Sequence, residues 1–337
     1  MRPAKERLQG CNAEKAIFKG VMMQASKRQA GFAALSIVVL LMTACGGGGG
    51  GSTTAGTSTV LSAYVANSGD GTISQYTINP TTGALTPKSP ATICTESPCN
   101  TADIPESIVV DPASKYVYVG NSGGTVISQF TIGAGGVLVP MNPPTVPAGN
   151  SGYGSYSVAI DKSGKYLYSA NANGREVAQF SIGTGGLLTL MSAVILTTTG
   201  TPGPVAISVD PSGTYVYVVN EGDNSISQFS INLGGGLTAM ATASVAAGGT
   251  NPISITIDPT GKNAYVANIT SGTISQFSIT QSGSLSGSLI LGPTVGGSGT
   301  LLSLPTSIAI DHSGMYAYVS NGSGVYQYSI KESLIKS

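Results

Sequence analysis

From Val60 onward the chain alternates short runs of Val, Ile, Tyr and Phe with clusters of Gly, Pro, Asn, Asp and Ser. Ile207–Met240 (ISVDPSGTYVYVVNEGDNSISQFSINLGGGLTAM) shows the unit. An apolar run ends in a DPSG turn, a Tyr/Val run ends in Asn, an ISQF run follows, and a Gly-rich turn opens a weaker segment. Such runs between turn-forming clusters predict successive antiparallel strands, here named a to d. The a and b runs are apolar almost throughout, as expected of strands buried on both faces.

The unit recurs. The Tyr of a Y-x-x-N motif falls at Tyr64, Tyr118, Tyr168, Tyr217, Tyr265 and Tyr318, and each is followed by a strand carrying Gln75, Gln129, Gln179, Gln228, Gln276 or Gln327. Five units open with an a strand ending at Asp111, Asp161, Asp210, Asp258 or Asp311. Four strands per unit at a period of about 50 residues predict an all-β propeller of four-stranded antiparallel blades. Six blades are favoured; a seventh, the alternative, would need about 50 further residues at that period. The first repeat begins directly at Val60-Leu61, so its a strand is left to residues 53–60 or to the C-terminal tail. A lone repeat cannot bury both its faces, so the blades are expected to fold only as a stack.

The composite pattern P-x-S-I-A-x-D-P-S-G-K-Y-x-Y-V-x-N … I-S-Q-F-x-I … G-x-L resembles the lactonase-like β-propellers, which include bacterial 6-phosphogluconolactonases and YVTN surface-repeat proteins. The resemblance covers residues 60–337 and is specific for architecture, because the matching residues are those that build blades. It implies a typically seven-bladed ring with a ligand pocket over the channel, on the face of the d–a and b–c loops. It also raises the alternative of a periplasmic lactonase acting on a sugar lactone.

The N-terminus reads as an address. Lys27 and Arg28 precede an apolar run, Gly31–Leu41, and then Met42-Thr43-Ala44-Cys45. A basic flank, a short apolar core and small residues before a cut site make a secretory signal, and about eleven apolar residues fall short of a spanning helix. MTAC resembles a bacterial lipobox, which implies removal of residues 1–44 and acylation of Cys45; Met22 or Met23 is the more natural start. Residues 45–59, rich in Gly, Ser and Thr, form a flexible tether. The expected partner is a lipid bilayer, and Gly46 after the acylated Cys favours the outer membrane, facing the periplasm or the cell surface. In an oxidising compartment, Cys94 and Cys99 in CTESPC are expected to form a local disulfide.

Charge narrows the function further. Charged residues are 9% of the chain against roughly 25% in an average domain. Seven of the 15 basic but two of the 15 acidic side chains lie in residues 1–44, so the remainder is mildly acidic without a basic run. That excludes nucleic acid as a partner. A monomer is expected, and no cofactor motif and no metal set stands out.

The repeated Asp, Asn and Gln read as turn and blade fixtures, since five or six copies cannot all serve one site. The only histidine, His312, sits in an a–b turn, away from the pocket face. Candidate chemistry therefore lies where repeats differ. Glu106, at the start of an inner strand, is placed to act as a general base, and Arg175, the sole arginine beyond residue 28, to hold an anionic group. Tyr153, Tyr156, Asn251, Glu221 and Asp223 are candidate ligand contacts. The favoured reading is a cell-envelope lipoprotein whose propeller binds a small molecule or a protein on its top face.

Overall fold

The computed structural model describes residues 60–196, 203–291, 304–321 and 324–330, together with the backbone of 35–40. Its strands form six antiparallel sheets, each following chain order. Blade 1 holds β1 (Leu35–Leu40), β2 (Leu61–Asn67), β3 (Thr72–Ile78) and β4 (Leu85–Cys94); blade 2 holds β5 (Pro105–Val110), β6 (Tyr116–Asn121), β7 (Val126–Ile132) and β8 (Leu138–Pro147). Blade 3 comprises β9 (Ser157–Ile160), β10 (Tyr166–Asn171), β11 (Glu176–Ile182) and β12 (Leu188–Ile195). Blade 4 comprises β13 (Pro204–Val209), β14 (Tyr215–Asn220), β15 (Ser225–Ile231) and β16 (Leu237–Ala246). Blade 5 has β17 (Pro252–Ile257), β18 (Asn263–Asn268), β19 (Thr273–Ile279) and β20 (Leu285–Leu291), and blade 6 has β21 (Ser307–Ile310), β22 (Tyr316–Asn321) and β23 (Gly324–Ser329). The protein is a six-bladed, all-β propeller, as the repeat count predicts; one 3₁₀ turn, Ala134–Gly136, interrupts it among the described residues.

One placement differs from the sequence reading. The inner strand of blade 1 comes from Leu35–Leu40, paired antiparallel with β2 from Leu35 opposite Asn67 to Leu40 opposite Ser62. The run LSIVVL has the β-branched, apolar character that an inner strand requires, so it competes for that place with the nearer but Gly/Thr-rich residues. Cys45 and the tether, residues 45–59, lie outside the described residues.

The repeated polar residues stitch blade to blade. At four successive joints the b-strand tyrosine, fully buried, donates its hydroxyl to a glycine carbonyl in the next blade's c–d turn: Tyr64 to Gly136 (2.6 Å), Tyr118 to Gly186 (2.5 Å), Tyr168 to Gly235 (2.9 Å) and Tyr217 to Gly283 (2.6 Å). All four turns require glycine twice over. Gly136, Gly186, Gly235 and Gly283 have positive φ, and a Cβ there would strike Ser62, Tyr116, Tyr166 or Tyr215. The c-strand glutamine makes a second stitch. Its Oε1 accepts the N–H that opens the next blade's d strand, Gln75 from Leu138, Gln129 from Leu188, Gln179 from Leu237 and Gln228 from Leu285. The c–d register slips beside or across each of these glutamines, and that bulge frees the side chain to reach across.

Between the stitches, aliphatic and aromatic residues of neighbouring blades form separate cores, such as Tyr64, Ala66 and Ile73 against Ile108, Val119 and Phe130. Blade 6 departs from the pattern. Val325 is 57% exposed, whereas the equivalent Ile73, Ile127, Val177 and Ile226 are fully buried, and among the described residues no fourth strand borders β23.

Candidate functional site

The two faces of the ring are built differently. On the a–b face, one carboxylate organises each turn: Asp111 Oδ1 accepts from the N–H groups of Lys115 and Tyr116 while its Oδ2 accepts from Ala113. Asp161 and Asp210 repeat this arrangement and add a hydroxyl, from Ser163 and Ser212. His312 is exposed on this face.

On the opposite face, an open cavity of about 430 Å³ lies between blades 1, 2 and 3. Ser68 and Gly69 come from the β2–β3 turn, Thr101 and Ile104 from the β4–β5 loop, and Ser122 from the β6–β7 turn. Glu106 and Tyr156 complete it from the openings of two inner strands. They occupy equivalent places, five residues before Asp111 and Asp161; the matching residues in blades 4, 5 and 6 are Val205, Ile253 and Thr306. Glu106 is thus the one acidic residue of that set. Its side chain is 5% exposed, and Oε1 accepts from Ser122 Oγ at 3.3 Å.

The backbone beside Glu106 is unusual. Ile104 has φ 48°, a left-handed conformation that costs a β-branched residue on the order of 1–3 kcal/mol. Its carbonyl accepts from both the N–H and the hydroxyl of Ser122, at 3.0 and 3.3 Å, which fixes the conformation. Asn251, likewise before a proline that opens an inner strand, and Leu304, before Pro305 two residues ahead of β21, share the positive φ. A separate cavity of about 250 Å³ runs between the inner strands and is lined mainly by aliphatic residues such as Val109, Ile207, Ile255 and Ile308. It offers no charged group.

The other sequence candidates scatter over this face. Glu221 and Asn251 come together, Asn251 Nδ2 donating to Glu221 Oε1 at 3.4 Å, while the Asn251 N–H donates to Asn224 Oδ1 at 2.6 Å. This knits the blade 4 turn to the loop entering blade 5, with Asp223 partly exposed on the same turn. Tyr153 is 48% exposed. Arg175, at φ 50°, packs its stem beside Gly203 at the entrance to blade 4 and is not among the residues lining the Glu106 cavity. Among the described residues no cluster of three or more His, Cys, Asp or Glu could hold a metal. Cys94 and Cys99 are joined, with Cα atoms 4.9 Å apart, on the loop that leads to Glu106.

Glu176, which opens β11 just after the b–c turn, is fully buried. Elsewhere the Y-x-x-N asparagine donates Nδ2 to a c-strand serine: Asn121 to Ser128, Asn220 to Ser227, Asn268 to Ser275. Blade 3 has Ala178 in that serine's place, and Asn171 Nδ2 turns to Glu176 Oε1 at 2.9 Å, which Ser151 also caps. The departure of VAQF from ISQF was the signal for this exchange.

Comparisons agree with this architecture. Similar solved structures include a putative 6-phosphogluconolactonase from Bacteroides fragilis, with 21% identity, TM-score 0.62 and coverage of 77% of this chain and 74% of that one. A putative 6-phosphogluconolactonase from Bacteroides uniformis has 18% identity, TM-score 0.64 and coverage of 80% and 78%. The periplasmic gluconolactonase PpgL of Pseudomonas aeruginosa has 15% identity, TM-score 0.59 and coverage of 88% and 86%. At such identities these likenesses show the fold alone. No curated protein matches the sequence. The family model described as "Lactonase, 7-bladed beta-propeller" matches residues 57–195 and 105–289, more than half of the chain. The chain therefore belongs to the lactonase β-propeller family, with six blades where the family's description gives seven.

Proposed function

We propose that the protein is a cell-envelope propeller that binds a neutral, hydroxyl-rich small molecule in the cavity between blades 1 and 3. The observation that carries this reading is the lining. Glu106 is its single ionisable side chain apart from the Tyr156 phenol, and Ser68, Thr101 and Ser122 bring three hydroxyls around it. A buried carboxylate is a strong acceptor for sugar hydroxyls, the serine and threonine hydroxyls both give and accept, and the Tyr156 ring offers a face to C–H groups. A phosphorylated ligand fits poorly, because no cation is among the lining residues to offset Glu106. The anchoring proposal rests on MTAC and the Gly-rich tether: cleavage before Cys45 and its acylation hold the propeller at the outer membrane, and blade 1 of the mature chain then closes without Leu35–Leu40.

A second reading, hydrolysis of a neutral sugar lactone, draws on family membership and on the inward-facing Glu106. In that reaction Glu106 would accept a proton as water attacks the lactone carbonyl. The ring C–O bond would then break, and the leaving oxygen would take up a proton. Calorimetric titration of the full chain in detergent with neutral sugars and aldonolactones, run beside a pH-stat, separates the readings. Saturable heat without acid release supports binding, acid release above the spontaneous rate supports the lactonase, and neither result overturns the cavity assignment.

A further inference from the structure

We infer that the loop from Thr95 to Ile104 positions three walls of the Glu106 cavity, with Asp103 as its keystone, and that ligand binding follows the redox state of Cys94–Cys99. The consequence for binding rests on the cavity being the ligand site; the positioning role does not. This d–a loop differs from its counterparts in what it holds. It supplies Thr101 and Ile104 to the lining directly. At its start, Thr95 donates both its N–H (3.0 Å) and its hydroxyl (2.9 Å) to the carbonyl of Gly71, in the turn that carries Ser68 and Gly69. At its end, the Asp103 carbonyl accepts from the N–H groups of Gly123 and Gly124, at 3.0 and 3.2 Å, in the turn that carries Ser122. The walls from blades 1 and 2 therefore hang on one loop.

Two clamps hold that loop closed. The Asp103 side chain is 2% exposed, with Oδ2 at 3.1 Å sharing the Thr95 hydroxyl proton with the Gly71 carbonyl and Oδ1 accepting from Asn100 Nδ2 at 2.8 Å. The carboxylate so ties the loop's last residues to its first. Cys94–Cys99 closes the same crossing covalently. Close fit makes the arrangement sensitive to movement: a Cβ at Gly71 would strike the Asn100 carbonyl, and one at Gly123 the Ala102 carbonyl and the Ile104 side chain. Cys99 is exposed, so a reductant can reach the bridge. A dithiol gives up two electrons and two protons, closing to its own disulfide and leaving both cysteines as thiols. Only the Asp103 clamp then remains.

Hydrogen exchange on the full chain, oxidised and dithiol-reduced, tests this with no ligand present. Reduction, or Cys94→Ser with Cys99→Ser, should speed exchange at 69–71 and 122–124 by on the order of tenfold, leave blade 4 unchanged, and be reversed on reoxidation for the wild type. Asp103→Asn, oxidised, should loosen the same two turns. Unchanged exchange there overturns the inference. With glucono-δ-lactone as probe, the dissociation constant should rise on the order of tenfold on reduction at equal occupancy of the folded state. Equal affinity in both redox states overturns the redox dependence. Failure of the oxidised wild type to bind any neutral sugar or lactone sinks the cavity assignment, and exchange still decides the role of the loop.

Discussion

The a–b face and the d–a/b–c face come from the same repeats and are built to opposite rules. On the a–b face, Asp111, Asp161 and Asp210 perform one task with one geometry, satisfying turn N–H groups. On the other face the described loops differ in the side chains they present: one carries a disulfide and leads to Glu106, the next presents Tyr153 and Tyr156, and a third ties Asn251 to Glu221. Repetition here marks groups that solve a backbone problem common to every blade. Difference marks positions freed from that problem, and only there can a single site be assembled.

The largest effects should come from breaking what repeats. Tyr168→Ala removes a fully buried ring and its stitch to Gly235, and should cost about 3–5 kcal/mol. Tyr168→Phe, which leaves the Gly235 carbonyl unsatisfied, should cost about 1–3 kcal/mol by urea unfolding. If both substitutions proved neutral, the stitches would lose their place in the account.

Alkali attacks the same groups together. Burial pushes the hydroxyls of Tyr64 and Tyr265 up to about 12, the Asp258 charge adding to it at Tyr265. Burial raises Tyr118, Tyr168 and Tyr217 as well, reinforced by the charge of the turn aspartate in each blade. A raised folded-state value means that folding favours the protonated phenol. This contribution is complete below the unfolded value of about 10 and falls away as pH climbs from there through 12. Denaturation midpoints should fall steadily above pH 10, and a flat profile from pH 9 to 12 would contradict the assignment.

Substitution on the variable face should move stability least and function most. Glu106→Gln keeps the side chain's shape and should change unfolding free energy by no more than about 1 kcal/mol, while weakening ligand binding by on the order of tenfold. His312→Ala, on the exposed a–b turn, should leave both within about 0.5 kcal/mol of wild type.

The blades were legible in sequence because their chemistry is local and periodic: Asp at the a–b turn, Asn at the b–c turn, Gln where the c–d ladder bulges. Three things were not. Which exceptions converge depends on ring position, so Glu106 meets Tyr156, its equivalent one blade on, while Arg175 lies beside Gly203 instead. The burial of Glu176 was not legible because its compensation for Ala178 runs through Asn171, across a hairpin. The inner strand of blade 1 sat in a run whose apolar character equally suits a signal core, and local pattern does not choose between those fates.

The cavity lined by Glu106 and Tyr156 is the proposed meeting place of this propeller and its ligand. A crystal structure of the full chain soaked with glucono-δ-lactone tests it most directly. The expected result is a bound molecule with a hydroxyl on the Glu106 carboxylate and its ring against Tyr156. A molecule found only in the aliphatic channel between the inner strands, or only beside Glu221 and Asn251, would contradict it.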